Sequence, residues 1–464
     1  MPLFVFLPTD AVMWLITAVL IASFIYVRRS PRTREKWSRV FSRPIPQASC
    51  VILLVFFVLG LADSIHFRPQ LASAPGESPA YSASTVSLLD STVGNWIAGR
   101  ERSYSSPFAI TEFDKTSALV DGKPVRIFAH LKGITPDAKT ASDRNRDVAL
   151  RALAALSVWA LVSAAAAALI LSRTPAVPGE KRSARLRRAI RGRGGFAAAA
   201  SGLILAALLL LFLWSAYHPF GTDKTGNDVL YQAVKSLRTA FVLGSLSTIT
   251  MLPFAVFFGI AAGFFRGWVD DVVQYLYTTI SSIPSVLLIA ATALMIQVFI
   301  DQHPLLLPTS LERGDAKLFF IAAIIGVTGW ASLARLLRAE TMKLSGLDFI
   351  KAARACGTPS GVIMRRHILP NVLHIILIVS VIGFSDIVLY EAVLSYIGVG
   401  VDPSMNSFGS MINAARNEMS RTPTVWWNLF AAFIFMVAVV LSANLFASAV
   451  RDAFDPRSYS GSGK

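Results

Sequence analysis

The stretch DFIKAARACGTPSGVIMRRHILPN, residues 348–371, decides the fold of this chain. It is basic and rich in alanine, a strong helix former, yet it lies between apolar segments at 318–338 and 372–394. Apolar runs of about 20 residues are long enough to cross a bilayer as helices. Gly357 permits a turn and Pro359 favours a new helix start, so the stretch predicts a helix–turn–helix on one face of a membrane protein.

The composition of the whole chain is not that of a soluble protein. Of its 464 residues, 54% are hydrophobic and only 16% are charged, whereas soluble domains carry about 25% charged residues. The formal charge of +16 comes from short basic clusters beside apolar segments, which indicates the positive-inside bias of membrane proteins rather than nucleic-acid binding. Cys50 and Cys356 lack partners at metal-ligand or redox spacing, so we expect no disulfide framework and no metal site.

Nine segments have the length and composition of membrane-spanning helices. They lie near 11–27, 48–66, 149–172, 196–217, 239–264, 270–297, 318–338, 372–394 and 425–449. One of the first two could lie in the membrane interface instead. The stretch before the first segment has no Lys or Arg, which argues against a cleavable signal peptide.

Positive charge predicts the orientation of these spans. The connections at 28–43, 173–195 and 335–366 are rich in Arg and Lys and should all be cytoplasmic. An even number of spans separates each connection from the next, so one orientation satisfies all of them. We therefore expect an external N-terminus and a cytoplasmic C-terminus.

The long polar stretch at 68–148 should form a small external α+β insert. Apolar residues from Val86 to Ile97 recur at helical spacing after the candidate caps Ser84 and Thr85. The run from Ala118 to Phe128 is typical of a hairpin about Asp121-Gly122. Two functions stay open for the insert, which are packing on the membrane domain and contact with substrate or an external partner.

Several motifs between about 210 and 457 resemble one family. Lys351-Ala352-Ala353, three residues, Gly357 and then Ile368-Leu369-Pro370 resemble the EAA coupling loop of ABC importer permeases. The stretch HPFGTDKTGNDVL at 218–230 resembles an external signature of the dipeptide, oligopeptide and nickel permease family, carried by Gly221, Thr222, Asp223, Gly226 and Asp228. Segments at 263–271, 283–285, 391–400, 403–409 and 451–457 are also similar.

The sequence departs from the family pattern at identifiable positions. Asn227 stands where the family usually has Arg, and Lys351 stands where the general EAA signature has Glu. The peptide subfamily shares the second departure, so the resemblance is to that subfamily. Residues 1–195 have no counterpart in the minimal family pattern.

The resemblance implies an all-α polytopic membrane protein of the MetI-like permease fold. A six-helix permease core would occupy 196–464, and residues 1–195 would form an extension with about three membrane helices and the insert. The cytoplasmic loop at 348–371 would dock on an ATPase subunit. Its contact residues would be Lys351, Ala352, Ala353, Ala355, Gly357, Arg365, Arg366, His367 and Pro370.

The implied function is that of a non-catalytic subunit of a binding-protein-dependent importer in the bacterial cytoplasmic membrane. Its partners would be a second, homologous permease, two ATPase subunits and an external solute-binding protein. The cargo would be a peptide, with nickel chelates and glycans as alternatives within the family. The sequence has no Gly-x4-Gly-Lys-Ser/Thr loop, so ATP and magnesium would bind to the partner subunits rather than to this chain.

Asp386 and Glu391 are carboxylates within the eighth apolar segment. A charge facing lipid there is unfavourable by roughly 2.5–3.5 kcal/mol, so each should face a cavity or a helix. They could line the translocation path, form a gate or make structural hydrogen bonds. In a second class of protein, an ion-driven secondary transporter, they would be the proton or sodium sites. A membrane scaffold or receptor acting through the insert is a third possibility.

Overall fold

In the computed structural model, the described residues are 2–71, 80–82, 84–97, 100–120, 123–132, 140–175, 182–304 and 306–454. They are mostly helical and form two compact units. Unit 1 is Met1–Val5, Ser38–Arg238 and Asn406–Phe446, and unit 2 is Phe6–Trp37, Thr239–Met405 and Ala447–Lys464. The predicted division into 1–195 and 196–464 stays a prediction.

The described elements follow one another in this order. The strands are β1 (Leu3–Val5), β2 (His66–Arg68), β3 (Val86–Ser87), β4 (Thr116–Val120) and β5 (Lys123–Ile127). The first helices are α1 (Pro8–Arg29), α2 (Pro31–Val40), α3 (Pro44–Asp63), α4 (Leu88–Ile97), α5 (Ala141–Arg173), α6 (Arg182–Ala189), α7 (Gly194–Trp214) and α8 (Val229–Phe265). The others are α9 (Gly267–Ser282), α10 (Ser285–Gln302), α11 (Ser310–Ser345), α12 (Asp348–Ala355), α13 (Ser360–Ile363), a π-helical turn (Met364–Ile368), α14 (Leu369–Tyr396), α15 (Phe408–Glu418) and α16 (Trp427–Phe454).

Within the described part of the chain, nine helices are long and apolar enough to cross a membrane. They are α1, α3, α5, α7, α8, α10, α11, the continuous helix Ser360–Tyr396 and α16. This confirms the expected number and the all-α polytopic fold class. The protein is therefore a multi-pass membrane protein.

The predicted span at 270–297 is wrong in its bounds. Residues 267–282 form the separate helix α9, and the spanning helix α10 begins only at Ser285. Pro284 has no N–H and biases the residue before it toward extended backbone. Ile283 accordingly has φ −87° and ψ 130°, which separates the two helices.

Unit 1 contains a three-stranded antiparallel sheet in the order β1-β2-β3. Phe4 pairs with Phe67, and Phe67 pairs with Val86. The sheet joins the residues before α1 to those after α3, so both lie on the same side as the insert. This sheet was not predicted, because its strands are only two or three residues long and lie far apart along the chain.

The insert has the predicted helix and hairpin with one correction. Strands β4 and β5 pair antiparallel, with Val120 opposite Lys123, while the expected turn at 121–122 lies outside the described residues. Helix α4 begins at Leu88 and is capped by Ser87, not by Ser84 or Thr85. The Asp90 N–H donates to Oγ of Ser87 at 3.1 Å, and the Ser87 N–H donates to Asp90 at 2.9 Å. The helix begins later than predicted because Val86 and Ser87 belong to strand β3.

In unit 2, α8 and α11 approach closely along glycine positions. A Cβ at Gly259 would lie 2.8 Å from the Ala334 carbonyl oxygen, and one at Gly263 would lie 2.6 Å from that of Arg338. Small residues at such spacing let two membrane helices pack backbone to backbone. The two helices are therefore in backbone contact at Gly259 and Gly263.

Candidate functional site

The structure contains the predicted helix–turn–helix at 348–371. Helix α12 ends where Gly357 adopts φ +77°, and its N–H donates to the Arg354 carbonyl at 2.9 Å. The Thr358 N–H then donates to the Ala353 carbonyl at 3.1 Å. This left-handed helix end strongly favours glycine, so Gly357 sets the angle at which the chain turns toward α13.

The second helix of the motif contains a π-helical turn over Met364–Ile368. The Leu369 N–H bonds to the Met364 carbonyl, five residues back. Pro370 has no N–H, and in a regular helix its ring would clash with the carbonyl of residue 366. The wider turn relieves that clash, so the helix continues into α14 without the break that Pro370 alone would predict.

Buried apolar side chains fix the motif to the membrane helices. Ile350, Ile363 and Ile368 are each 0% exposed. They belong to a cluster that we call the coupling core, whose other buried members include Phe264, Val273, Tyr277, Trp330, Leu333, Leu337 and Val372. The motif therefore packs through this cluster on α8, α9, α11 and α14.

The opposite side of the motif is open. Seven of the predicted contact residues are exposed, and we call them the coupling surface: Lys351, Ala352, Ala355, Gly357, Arg365, Arg366 and Pro370. Ala353 and His367 are half-buried. The surface thus combines small residues, which allow close approach of another backbone, with three basic side chains.

Two cationic side chains connect α9 and α12 to neighbouring helices. The Arg338 guanidinium on α11 pairs with Asp270 on α9, with Nη2 2.6 Å from Oδ2. The hydrogen bond from Arg338 lowers the pKa of Asp270 despite partial burial. The Arg354 guanidinium lies 4.4 Å from the ring centroid of Phe264, at the end of α8. These contacts tie α12 and α9 to the α8–α11 pair.

The two intramembrane carboxylates occupy different environments. Asp386 is exposed on α14, whereas Glu391 is 4% exposed and accepts a hydrogen bond from Ser395 Oγ at 2.7 Å. The contact to Ser395 favours the structural interpretation for Glu391. Asp386 is the carboxylate that remains open to a partner helix or to a substrate, and roles in translocation for both stay predictions.

The external signature at 218–230 forms a tight loop in unit 1. Gly221 has φ +67°, and a Cβ there would lie 2.2 Å from the Ser105 carbonyl oxygen. Gly226 has φ +76°, and its Cβ would lie 1.9 Å from the carbonyl oxygen of Glu101. Both glycines are thus required by backbone conformation and by contact with the insert.

The polar residues of the signature hold the loop closed. Thr222 Oγ1 donates to the Ser103 carbonyl at 2.9 Å, and the Thr222 carbonyl accepts from Trp427 Nε1 at 3.0 Å. Asp223 accepts from the Asn227 N–H at 2.9 Å and from Gln232 Nε2 at 2.6 Å. Asn227, which departs from the family pattern, is therefore accommodated inside the loop.

Asp228 belongs to a buried ionic cluster that the sequence analysis did not predict. It is 2% exposed and accepts from His218 Nδ1 at 2.7 Å and from Trp214 Nε1 at 3.1 Å. His218 Nε2 lies 3.8 Å from Oε1 of Glu101 in the insert. Burial alone would lower the pKa of His218, but Asp228 and Glu101 outweigh it and raise the pKa to about 9.

A second buried ionic cluster lies at the start of α8. Lys235 Nζ is 2.8 Å from Oδ1 of Asp90 and 3.5 Å from Oδ1 of Asp63, and it also donates to the Tyr231 hydroxyl at 3.0 Å. Burial would raise the pKa of Asp90, but the Lys235 ammonium outweighs it and lowers the pKa. Asp63 and Asp90 come from α3 and α4, so the first 195 residues supply the counterions of a lysine on α8.

These features define a polytopic membrane protein with an exposed helix–turn–helix. Residues 255–458 match the family described as binding-protein-dependent transport system inner membrane component. Over 305 residues the chain is 30% identical to the oligopeptide transport system permease protein OppC of Mycobacterium tuberculosis, covering 60% of this chain and 96% of that protein. The chain belongs to this family of inner-membrane transport permeases.

Two further relatives are also permeases of peptide transport systems. The dipeptide transport system permease protein DppC of Alkalihalophilus pseudofirmus is 31% identical over 243 residues, covering 52% of this chain and 73% of that protein. The oligopeptide permease OppC of Escherichia coli is 29% identical over 240 residues, covering 52% of this chain and 72% of the relative.

Proposed function

We propose that this chain is a permease subunit of an ATP-driven, binding-protein-dependent importer that moves peptides or peptide-like compounds into the cell. The coupling surface carries this proposal, because an open surface of small and basic residues backed by a rigid core is suited to a moving protein partner. The names of the relatives, which are oligopeptide and dipeptide permeases, support a peptide cargo.

ATP hydrolysis belongs to partner subunits in this proposal. The sequence has no phosphate-binding loop, so two ATPase subunits, with their bound ATP and magnesium, would act from the cytoplasmic face. A second, homologous permease would complete the pore, and a solute-binding protein would deliver cargo from outside. ATP-driven closure of the ATPase pair would move α12, and the coupling core would pass that movement to α8, α11 and α14.

The orientation that this mechanism needs has the N-terminus outside and the C-terminus in the cytoplasm. Gln47 supports it, because its Nε2 donates to the Phe41 carbonyl at 2.7 Å and its Oε1 accepts from the Phe196 N–H at 3.2 Å. The first two basic connections therefore lie at the same end of their helices. In unit 2, the ring of Trp37 lies 5.9 Å from that of Phe454, which brings the end of α16 to the first connection.

Asp386 is the residue for which the two transport mechanisms differ. In the importer it would line the path and contact the amino terminus or backbone donors of a peptide. In an ion-driven transporter it would bind a proton or sodium ion. The open position of Asp386 is compatible with both, whereas the coupling surface has a use only in the first.

The test is uptake by proteoliposomes that contain this chain with its copurifying permease, ATPases and binding protein. Peptide uptake should require ATP hydrolysis and should persist when proton and sodium gradients are collapsed. Uptake that follows an ion gradient without ATP would reject the importer. The ligand carried by the copurified binding protein would distinguish a peptide from a nickel chelate or a glycan.

A further inference from the structure

A concentrated positive patch lies between α5 and α7. Its arginines are Arg182, Arg185, Arg187, Arg188, Arg191 and Arg193. No Asp or Glu occurs from Arg182 to Thr222, so no acidic residue of the same segment neutralises the patch.

Five of the six arginines of the patch fall into two groups. The Nη2 atoms of Arg185 and Arg188 donate to backbone carbonyls at the end of α5, including that of Pro175 at 2.7 Å from Arg188. Among the described residues, Arg187, Arg191 and Arg193 are exposed, and their guanidinium groups make no hydrogen bond or ion pair. The first group fixes α6 against α5, which leaves the second group free to bind a ligand.

The turn that carries the free arginines is held rigidly in unit 1. Gln47 is 1% exposed, and its amide donates to the Gly192 carbonyl. A Cβ at Gly195 would lie 2.0 Å from the carbonyl oxygen of Pro44, so the start of α7 lies directly against the start of α3. Arg191 and Arg193 are therefore presented from a fixed backbone, which reduces the entropy lost when they bind.

The helices that lead into the patch indicate what kind of molecule meets it. In the most apolar 18-residue stretch of α7, no residue is buried within the described structure. In the corresponding stretch of α5, only 6% of the residues are buried. Leu169, near the end of α5, is 55% exposed, and Ile204, near the start of α7, is 41% exposed. Acyl chains would cover these surfaces, and a lipid packed along either helix places its headgroup at the level of the patch.

We propose that Arg187, Arg191 and Arg193 bind the phosphate headgroups of anionic phospholipids, whose acyl chains pack along α5 and α7. Arginine presents paired N–H donors that match phosphate oxygens. Each basic residue at an anionic membrane surface strengthens association by roughly fivefold. The site is a property of the N-terminal extension and does not depend on the transport mechanism.

The experiment titrates phosphatidylglycerol, or phosphatidylcholine with the same acyl chains, into the detergent-purified full chain and counts bound lipids by native mass spectrometry. The wild-type chain should bind phosphatidylglycerol preferentially. The variant Arg187→Gln/Arg191→Gln/Arg193→Gln should lose that preference by about a hundredfold. The matched control Arg102→Gln/Arg126→Gln/Arg146→Gln removes the same charge from exposed residues of the insert and the start of α5, and should retain it.

A second measurement uses the wild-type protein alone. It therefore tests the proposal even if the triple variant does not fold. The preference for phosphatidylglycerol should fall as salt rises from about 0.05 M to about 0.5 M, because salt screens exposed charges. Equal binding of the two lipids, full retention by the patch variant, or equal loss in the control would each overturn the proposal.

Discussion

Lys235 Nζ lies 2.8 Å from Oδ1 of Asp90, and this contact joins the start of α8 to α4 of the insert. Asp63, at the end of α3, lies on the other side of the same ammonium at 3.5 Å. Lys235 lies in the second turn of α8, a few residues after the family signature at 218–230. The extension is therefore part of the structure that holds α8 in place.

Replacing Lys235 by methionine should destabilise the protein by about 3–5 kcal/mol, because two largely buried carboxylates would lose their shared counterion. Thermal unfolding of the purified chain in detergent measures this. The double variant Lys235→Met/Asp90→Asn should be more stable than Lys235→Met alone. The control Lys343→Met removes an exposed lysine and should change stability by no more than about 0.5 kcal/mol. Equal effects at the two lysines would refute the structural role of the cluster.

The His218–Asp228–Glu101 cluster should make stability depend on pH. The pKa of His218 is about 9 in the folded protein and about 6.5 when unfolded. The folded state thus binds the extra proton, so the stabilisation is fully present below pH 6.5 and is lost as pH rises through 9. The total is about 3 kcal/mol. Melting temperatures between these pH values should fall for the wild type and stay flatter for His218→Gln; identical slopes would contradict the assignment.

Gly357→Val should leave the protein folded and inserted but uncouple ATP hydrolysis from uptake. No atom lies within 4 Å of a Cβ built at this position, so the variant disturbs the turn through its φ of +77° rather than through a clash. A left-handed residue with a side chain is strained by roughly 1–2 kcal/mol, so α12 should change its angle. Gly361→Val is the control, because Gly361 lies in α13 without positive φ and also faces open space. Normal coupling in Gly357→Val would reject the role of the turn.

Asp386→Asn should weaken peptide transport without affecting assembly. If the carboxylate makes a charged hydrogen bond to the peptide, its loss should raise the KM of uptake by about 10- to 100-fold. Copurification of the ATPases should not change. Glu391→Gln should instead lower thermal stability, because Glu391 is buried against Ser395. An unchanged KM in Asp386→Asn would remove this residue from the translocation path.

Local signals in the sequence were sufficient for much of the fold. The nine spans follow from apolar length, and the turn at 348–371 follows from Gly357 and Pro359. The sequence around Pro284 predicts a kink, but it does not show that α9 and α10 are two separate helices. The π-helical turn before Pro370 was not predicted either, because the family motif does not show which backbone hydrogen bonds form there.

Long-range contacts were beyond the reach of sequence patterns. Phe4 and Phe67 pair across the whole first helical hairpin. Asp63 and Asp90 each lie more than a hundred residues before Lys235. The external signature was recognised by resemblance, but its partners Glu101 and Ser105 lie in a polar stretch with no distinguishing pattern. Only the folded structure shows that the extension and the signature form one unit.

The most direct test of the coupling surface uses a cysteine that the chain already has. Cys356 is exposed at the end of α12. The other cysteine, Cys50, is half-buried within the apolar helix α3. A photo-crosslinker attached to Cys356 in membranes that contain the whole transporter should capture an ATPase subunit. A chain with Cys356→Ser and Arg102→Cys, labelled on the insert, should not. Absence of an ATPase adduct from Cys356, or equal adducts from both positions, would contradict the account.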